Sequence, residues 1–344
     1  MRNLRFIALN ALVYGLPLWI LSVLPFSKGF YGAFNSFLFN ALFYGTVSYS
    51  TLGIIFDFLF VYCFLLLFRK EILIEQTRTY LIFQGFGKIL RFIFIDNIKK
   101  PLIISQDEKV SLLFYLVKIV FTPVMINFAI GNVTSLLRGL NTFTFELSKI
   151  NFLNSYLHLA FYVILVIDTF IFAFGYLIES KTLKSVVKSV EPTAFGWIIA
   201  LMCYPPFNDL TGRIFGWYSA DFSDFKNLNI TLIATTVSIV FFAIYVWASI
   251  ALGFKASNLT NRGIVSKGPY KYVRHPAYIS KNASWWIMAI PAIQAFGFIA
   301  ILSLTAWTII YYLRALTEER HLSQDPDYIE YVKKVRYMFI PGII

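Results

Sequence analysis

Arg274, His275 and Pro276 occupy consecutive positions within G-P-Y-K-Y-V-R-H-P-A-Y, residues 268–278. Histidine titrates near neutrality, and arginine is a permanent cation with a planar fork of donors. Pro276 biases His275 away from helix. Gly263 and Gly268 flank a linker whose backbone amides can approach a ligand closely. Tyr270, Tyr272 and Tyr278 add flat faces and hydroxyls. Further along stand Arg314, Glu318 and Glu319, of which Arg314 and Glu318 share one helical face. Such residues suit the binding and alignment of charged reactants, with His275 available as a base for a hydroxyl or amine. Each group also has a plainer reading. The first reads as a basic loop with a tyrosine belt at a membrane edge. The second reads as a surface ion pair worth roughly a few tenths of a kcal/mol.

The elements that must position them are membrane helices. The chain has 344 residues, is 58% hydrophobic and 14% charged, with a mean hydropathy of +0.68. A soluble domain averages about 25% charged residues, so this is an integral membrane protein. The 37 Phe and 21 Tyr fit lipid-facing and interfacial surface. The net charge of +12 fits loops held near anionic lipid and does not indicate nucleic acid. Cys63 and Cys203 lie in apolar runs and read as small buried hydrophobes, with no disulfide and no metal site. His158 has no second ligand at helical spacing and reads as an interfacial histidine. His321, beyond Glu319, reads as exposed on a solvated helix.

A span needs about 20 apolar residues. Runs of this kind cover residues 6–26, 48–68, 111–131, 155–178, 194–205 and 230–253, the fifth being short and ending at Pro205-Pro206. The first lacks a small-residue cleavage site and reads as a span, not a signal peptide. Residues 31–45, interrupted by Asn35 and Asn40, read as an outer-surface or re-entrant piece. Residues 284–313 are too long for one span and short for two. Pro291 and Gly297 near their middle predict a helical hairpin. The fold expected is all-α: a polytopic membrane bundle of six spans plus a C-terminal hairpin, eight membrane helices in all. Arg2 and Arg5, the loop 69–109, Lys181, Lys184 and Lys188, and the loop 255–281 then fall on one side with the C-terminus. That places both termini in the cytoplasm.

The motif of residues 268–278, the hairpin, the following R-A-L-T-E-E, and Tyr328, Tyr331 and Val335 resemble the isoprenylcysteine carboxyl methyltransferases. They are similar also to the bacterial relatives of that family and to phospholipid methyltransferases. The likeness covers residues 258–344, while the first 190 show none. It implies S-adenosylmethionine as cofactor, in the cytoplasmic leaflet of a bacterial inner membrane or endoplasmic reticulum. It implies cofactor contacts at Gly263, Ile264, Val265, Tyr270, His275, Pro276, Ala277, Tyr278 and Glu318, the last taking the cofactor's ammonium group. Arg314 would orient a lipid-linked or lipophilic acceptor, a carboxylate such as a prenylcysteine or a head-group amine. Ser280 and Lys281 depart from the family pattern. The expected organisation is a methyltransferase-like domain over 191–344 and membrane helices over 1–190 that shape the acceptor cavity.

Methyl transfer from a sulfonium is an in-line displacement. Alignment can contribute as much as ~7–11 kcal/mol to it. Arg314 suits a carboxylate because its fork binds two oxygens. Two other readings remain open. One is a membrane sterol or enone reductase using NADPH, which shares an R-H-P-x-Y-like segment and a similar hairpin. The other is a non-enzymatic transporter built on Asp57, Lys118 and Asp168, charges inside spans that otherwise read as a structural pairing of Lys118 with either aspartate.

Overall fold

The computed structural model describes residues 2–15, 33–35, 48–50, 77–95 and 101–343. They fall into two compact units, Met1–Asn127 with Val187–Val190, and Phe128–Val186 with Glu191–Ile344. Regular structure is overwhelmingly helical. Four described helical segments are long and apolar enough to cross a membrane: Gln106–Asn141, Lys149–Leu177, Leu228–Lys255 and Phe298–Leu322. The fold is therefore a polytopic helical membrane fold.

In the first unit, α1 is Arg2–Asn10, continued by a π-helical turn, Ala11–Gly15. Strands β1 (Ala33–Asn35) and β2 (Ser48–Ser50) pair antiparallel, with Ala33 opposite Ser50. Helix α2 is Arg78–Phe94, opened by Thr77, whose hydroxyl accepts from the Tyr80 amide at 3.3 Å. Helix α3, Gln106–Asn141, begins in this unit and ends in the second. It opens in a capping box: the Ser105 amide donates to Glu108 Oε2 (2.8 Å) and the Glu108 amide to Ser105 Oγ (3.3 Å). Its 36 residues run about 54 Å, well beyond the ~30 Å hydrocarbon core. Tyr115 packs with Val13 and Ile82, and its hydroxyl donates to the Val13 carbonyl at 2.7 Å. The expected spans fare differently here. Residues 6–15 are helical and 111–131 lie inside α3, whereas 48–50 form β2 instead of opening a span. Residues 16–26 and 51–68, with Asp57 and Cys63, lie outside the described residues, as does all of 31–45 but β1.

The second unit holds α4 (Lys149–Leu177), α5 (Ala194–Leu201), α6 (Phe207–Phe215), α7 (Leu228–Leu252), α8 (Pro276–Met288), α9 (Ile290–Phe296), α10 (Phe298–Leu322) and α11 (Pro326–Lys334). α4 and α7 run parallel. Lys149 Nζ donates to Asn229 Oδ1 (2.8 Å) at one end, and the Asn258 amide donates to Tyr176 Oη (2.7 Å) at the other. Between those ends, Asp168 accepts from Tyr245 Oη (2.6 Å) and Ser249 Oγ (2.5 Å). Residues 128–186 thus group with the C-terminal part.

The segment that returns between two parallel helices must cross back. Residues 194–205 do not do so as one span, since α5 has only 8 residues. The crossing is broken into α5, a turn through Pro205 and Pro206, and α6. Each proline lacks an N–H and cannot continue a helical ladder. The path runs antiparallel to α10. Arg320 meets Glu191 at 2.6 Å, Arg314 meets Tyr204 at 3.4 Å, and Trp307 Nε1 donates to the Gly216 carbonyl at 2.8 Å. Irregular backbone at such depth is tolerated where protein or a wet cavity receives it.

The hairpin forms as expected but is longer than 284–313. α8 and α9 make its first arm and α10 its second, from Pro276 to Leu322. Pro291 lies at the start of α9, where the arm is interrupted. Gly297 makes the reversal at φ +59°, a conformation that side chains disfavour.

Candidate active site

One cavity of about 160 Å³ lies among α4, α5, α7, α8, α10 and the loop 253–275. Of the residues that the resemblance assigns to cofactor or acceptor, it is lined by Gly263, Ile264, Val265, Tyr270, His275, Ala277, Tyr278, Arg314 and Glu318. Pro276 does not reach it; this residue starts α8. Tyr272 points to the exterior, 62% exposed. The loop from 268 and the far end of the hairpin are thus neighbours.

Backbone and side-chain ties hold Arg274 and His275 in place. The Arg274 and His275 amides donate to the carbonyls of Tyr337 (3.0 Å) and Met338 (2.9 Å). Arg274 Nη1 donates to the carbonyls of Val335 (3.0 Å) and Arg336 (2.6 Å). Tyr328, Tyr331 and Val335 form a small core with Ile264 and Tyr270 beneath the linker, and Tyr331 Oη donates to the Tyr270 carbonyl at 2.8 Å. Burial pushes the Tyr270 and Tyr331 hydroxyls well up, so both stay neutral. On the opposite side, α4 fixes the loop: a Cβ on Gly175 would stand 2.0 Å from the Ala256 carbonyl oxygen. Arg262 Nη1 ties the loop to the carbonyls of Ile178 (3.2 Å), Ser185 (3.2 Å) and Phe254 (3.3 Å).

The charges sort differently from the sequence expectation. Arg314 and Glu318 do not pair. Glu319 instead takes Arg274 Nε (2.6 Å) and Nη2 (3.2 Å), and His275 Nε2 (3.2 Å). Burial opposes the Arg274 charge, but the Glu319 carboxylate outweighs it and holds the guanidinium pKa above its ordinary value. Glu318 accepts from Tyr278 Oη at 2.7 Å and lies 4.0 Å from His275 Nδ1, with its side chain 45% exposed. Both His275 nitrogens therefore face carboxylates.

Arg314 is 7% exposed. Its Nη2 donates to Asn258 Oδ1 and Tyr204 Oη, and its guanidinium lies over the rings of Tyr278 (5.1 Å), Tyr204 (5.2 Å) and Tyr311 (5.8 Å). No carboxylate among the described residues pairs with it, and its Nε and Nη1 have no oxygen acceptor there. Among the buried polar atoms of lining residues, Asn258 Nδ2 and Glu191 Oε2 find no hydrogen-bond partner among the described residues.

Several lining residues escaped the sequence reading. Glu191 and Tyr204 stand on non-helical chain on either side of α5 and Tyr245 stands on α7, all distant in sequence from the motif. Asn258 begins a sequon, one of four with Asn132, Asn229 and Asn282, yet its side chain is buried against Arg314. His321 is 4% exposed and lines the cavity, a correction to its expected exposure, because the face of α10 that carries Arg314 continues inward past Glu318. His158 stacks on Phe222 at 3.6 Å, and its Nδ1 meets the Leu153 carbonyl at 2.8 Å, so its surroundings are those of a packed ring. Lys118 stands over the rings of Phe114 (4.9 Å) and Tyr14 (5.8 Å), while both oxygens of Asp168 hold hydroxyl donors.

Residues 219–335 match the family model described as a protein of unknown function, DUF1295. The match takes in α7, the loop, the hairpin and α11, which together supply most of the cavity wall. Comparison with curated proteins and with solved structures finds no match.

Proposed function

We propose that the chain is an integral membrane methyltransferase that uses S-adenosylmethionine and acts on a lipid-linked acceptor bearing a carboxylate. The observation that carries this reading is Arg314, a buried guanidinium on a cavity wall whose free donors have no oxygen acceptor among the described residues. A buried guanidinium with neutral partners but no counter-charge is favoured to take one up when it is offered. A ligand carboxylate would satisfy the fork with two parallel hydrogen bonds. An ammonium would be repelled.

The residues present fit the cofactor. Among the described residues lining the cavity, the half-exposed Glu318 carboxylate is not locked by a guanidinium, and it suits the cofactor's ammonium group. The orphaned Asn258 Nδ2 and Glu191 Oε2 offer a donor and an acceptor to its polar groups. Gly263, at φ +90°, lets the linker backbone come close. When bound, S-adenosylmethionine supplies a methyl group from its sulfonium, the C–S bond breaking with its electrons left on sulfur as the acceptor oxygen forms the new C–O bond.

No base is required for a carboxylate acceptor. His275, between two glutamates, positions Glu318 and Glu319 and does not take up a proton from substrate. Arg314 orients the acceptor oxygen, and the aromatic walls exclude water. The cofactor enters from the cytoplasm and the lipophilic acceptor from the bilayer.

A second reading, an NADPH-dependent sterol or enone reductase, draws on the Tyr278 hydroxyl, which sits 2.7 Å from Glu318 and could donate a proton to a substrate oxygen. Titration calorimetry on the purified protein separates the two. Binding of S-adenosylmethionine with none of NADPH is expected, and the reverse would overturn the proposal.

A further inference from the structure

Lys281 stands on the inner face of α8. It lines the same cavity as Arg314. Its ammonium lies over the rings of Trp285 (5.3 Å) and Tyr245 (5.5 Å). Trp285 packs edge-on against Tyr311 (5.1 Å), the ring that also underlies Arg314 (5.8 Å). A wall of aromatic rings therefore joins the two cations. Ring faces attract an ammonium but accept none of its three N–H groups in full hydrogen bonds. No carboxylate among the described residues pairs with Lys281. Asp168 feels its charge but has both oxygens occupied by Tyr245 and Ser249. Asp221 feels it as well, without an ion pair. Two cations thus face one chamber, and neither pairs with an acid among the described residues. Buried cations gain from a counter-charge.

We infer that Lys281 is a second anion anchor in the acceptor chamber, so that the acceptor presents negative charge to both α8 and α10: a dianionic head group, or a carboxylate beside a second acidic group. The inference rests on the methyltransferase reading for the word acceptor and deepens it by naming the substrate's charge. Asp168 acts behind it as a positioning residue, holding Tyr245 under the Lys281 ammonium.

The test uses the full chain in nanodiscs with dodecyl phosphate, dodecanoate and dodecylamine as probes, binding being read from tryptophan fluorescence. Dodecyl phosphate, dianionic at pH 8, is expected to bind about tenfold or more tighter than dodecanoate, the worth of one charge-assisted hydrogen bond. Lys281→Gln should erase that preference, Lys281→Arg should keep it, and Arg314→Gln should weaken both anions. S-adenosylmethionine binding, followed by calorimetry, should be unchanged in Lys281→Gln, which also shows that the variant folds. Equal binding of dodecylamine, no preference in the unaltered protein, or a preference that survives Lys281→Gln would overturn the inference. Loss of the preference in Lys281→Arg as well as Lys281→Gln would equally overturn it, since shape and not charge would then be read. Should the probe results hold while S-adenosylmethionine fails to bind the unaltered protein, the methyltransferase reading falls and the anion site stands.

Discussion

Arg274 grips Glu319 through two parallel hydrogen bonds, Nε to Oε1 at 2.6 Å and Nη2 to Oε2 at 3.2 Å, joining the loop before α8 to the last turn of α10. Side chains of both residues are mostly covered. Glu319→Gln removes the charge and leaves an arginine half-satisfied. A loss of about 2 kcal/mol is expected, seen as a lower thermal midpoint in detergent. Arg274→Lys should lose almost as much, because an ammonium cannot reproduce the fork. An unchanged midpoint in both variants would show that the pair is incidental.

Glu318 behaves differently because it is half-exposed and meets a tyrosine hydroxyl and an imidazole, with no guanidinium on it. Glu318→Ala should leave the thermal midpoint nearly untouched while weakening S-adenosylmethionine by about tenfold or more. Calorimetry reads the affinity. A variant that unfolds, or one that binds as before, contradicts this assignment.

Arg314 should separate acceptor from cofactor. Arg314→Gln is expected to cut turnover by about a hundredfold, in line with the loss of two charge-assisted hydrogen bonds. S-adenosylmethionine affinity should stay within a few-fold. Methyl incorporation from labelled cofactor into a prenylcysteine carboxylate measures the first quantity and calorimetry the second. Loss of cofactor binding would mean that Arg314 serves the nucleotide instead.

The glycines give a stability contrast independent of chemistry. Gly175→Ala drives a methyl to 2.0 Å from the Ala256 carbonyl oxygen, so α4 and the loop must part. Gly297→Ala meets no atom within 4 Å but must hold φ +59°, a strain of about 1–3 kcal/mol. Gly212→Ala, inside α6 with open space around it, should be neutral or stabilising by up to ~1 kcal/mol. Thermal midpoints ordered Gly175→Ala lowest, then Gly297→Ala, then Gly212→Ala check the packing.

How much of this could be read in advance follows from the range of each signal. The hairpin was legible because Pro291 and Gly297 act locally on backbone geometry. The meeting of His275 with the Arg314 region follows from that hairpin alone. The broken crossing at α5 and α6 was only half legible: Pro205 and Pro206 mark a break, but the amphipathic residues 207–215 do not look like membrane chain. The pairing of Arg274 with Glu319, and not Arg314 with Glu318, depends on which side of α10 turns to the loop, and a spacing of four residues cannot say. Asn258, Tyr204 and Glu191 have no neighbours in sequence that mark them. His321 looked solvated because its neighbours Glu318, Glu319 and Arg320 are charged, yet those charges serve inward partners.

The carbonyls that seat the guanidinium of Arg274 belong to residues 61 and 62 positions downstream. During synthesis both arms of the hairpin must leave the ribosome before the histidine-bearing loop can reach its final setting. The chamber is thus completed only after residues 335 and 336 have followed the helices of the hairpin out.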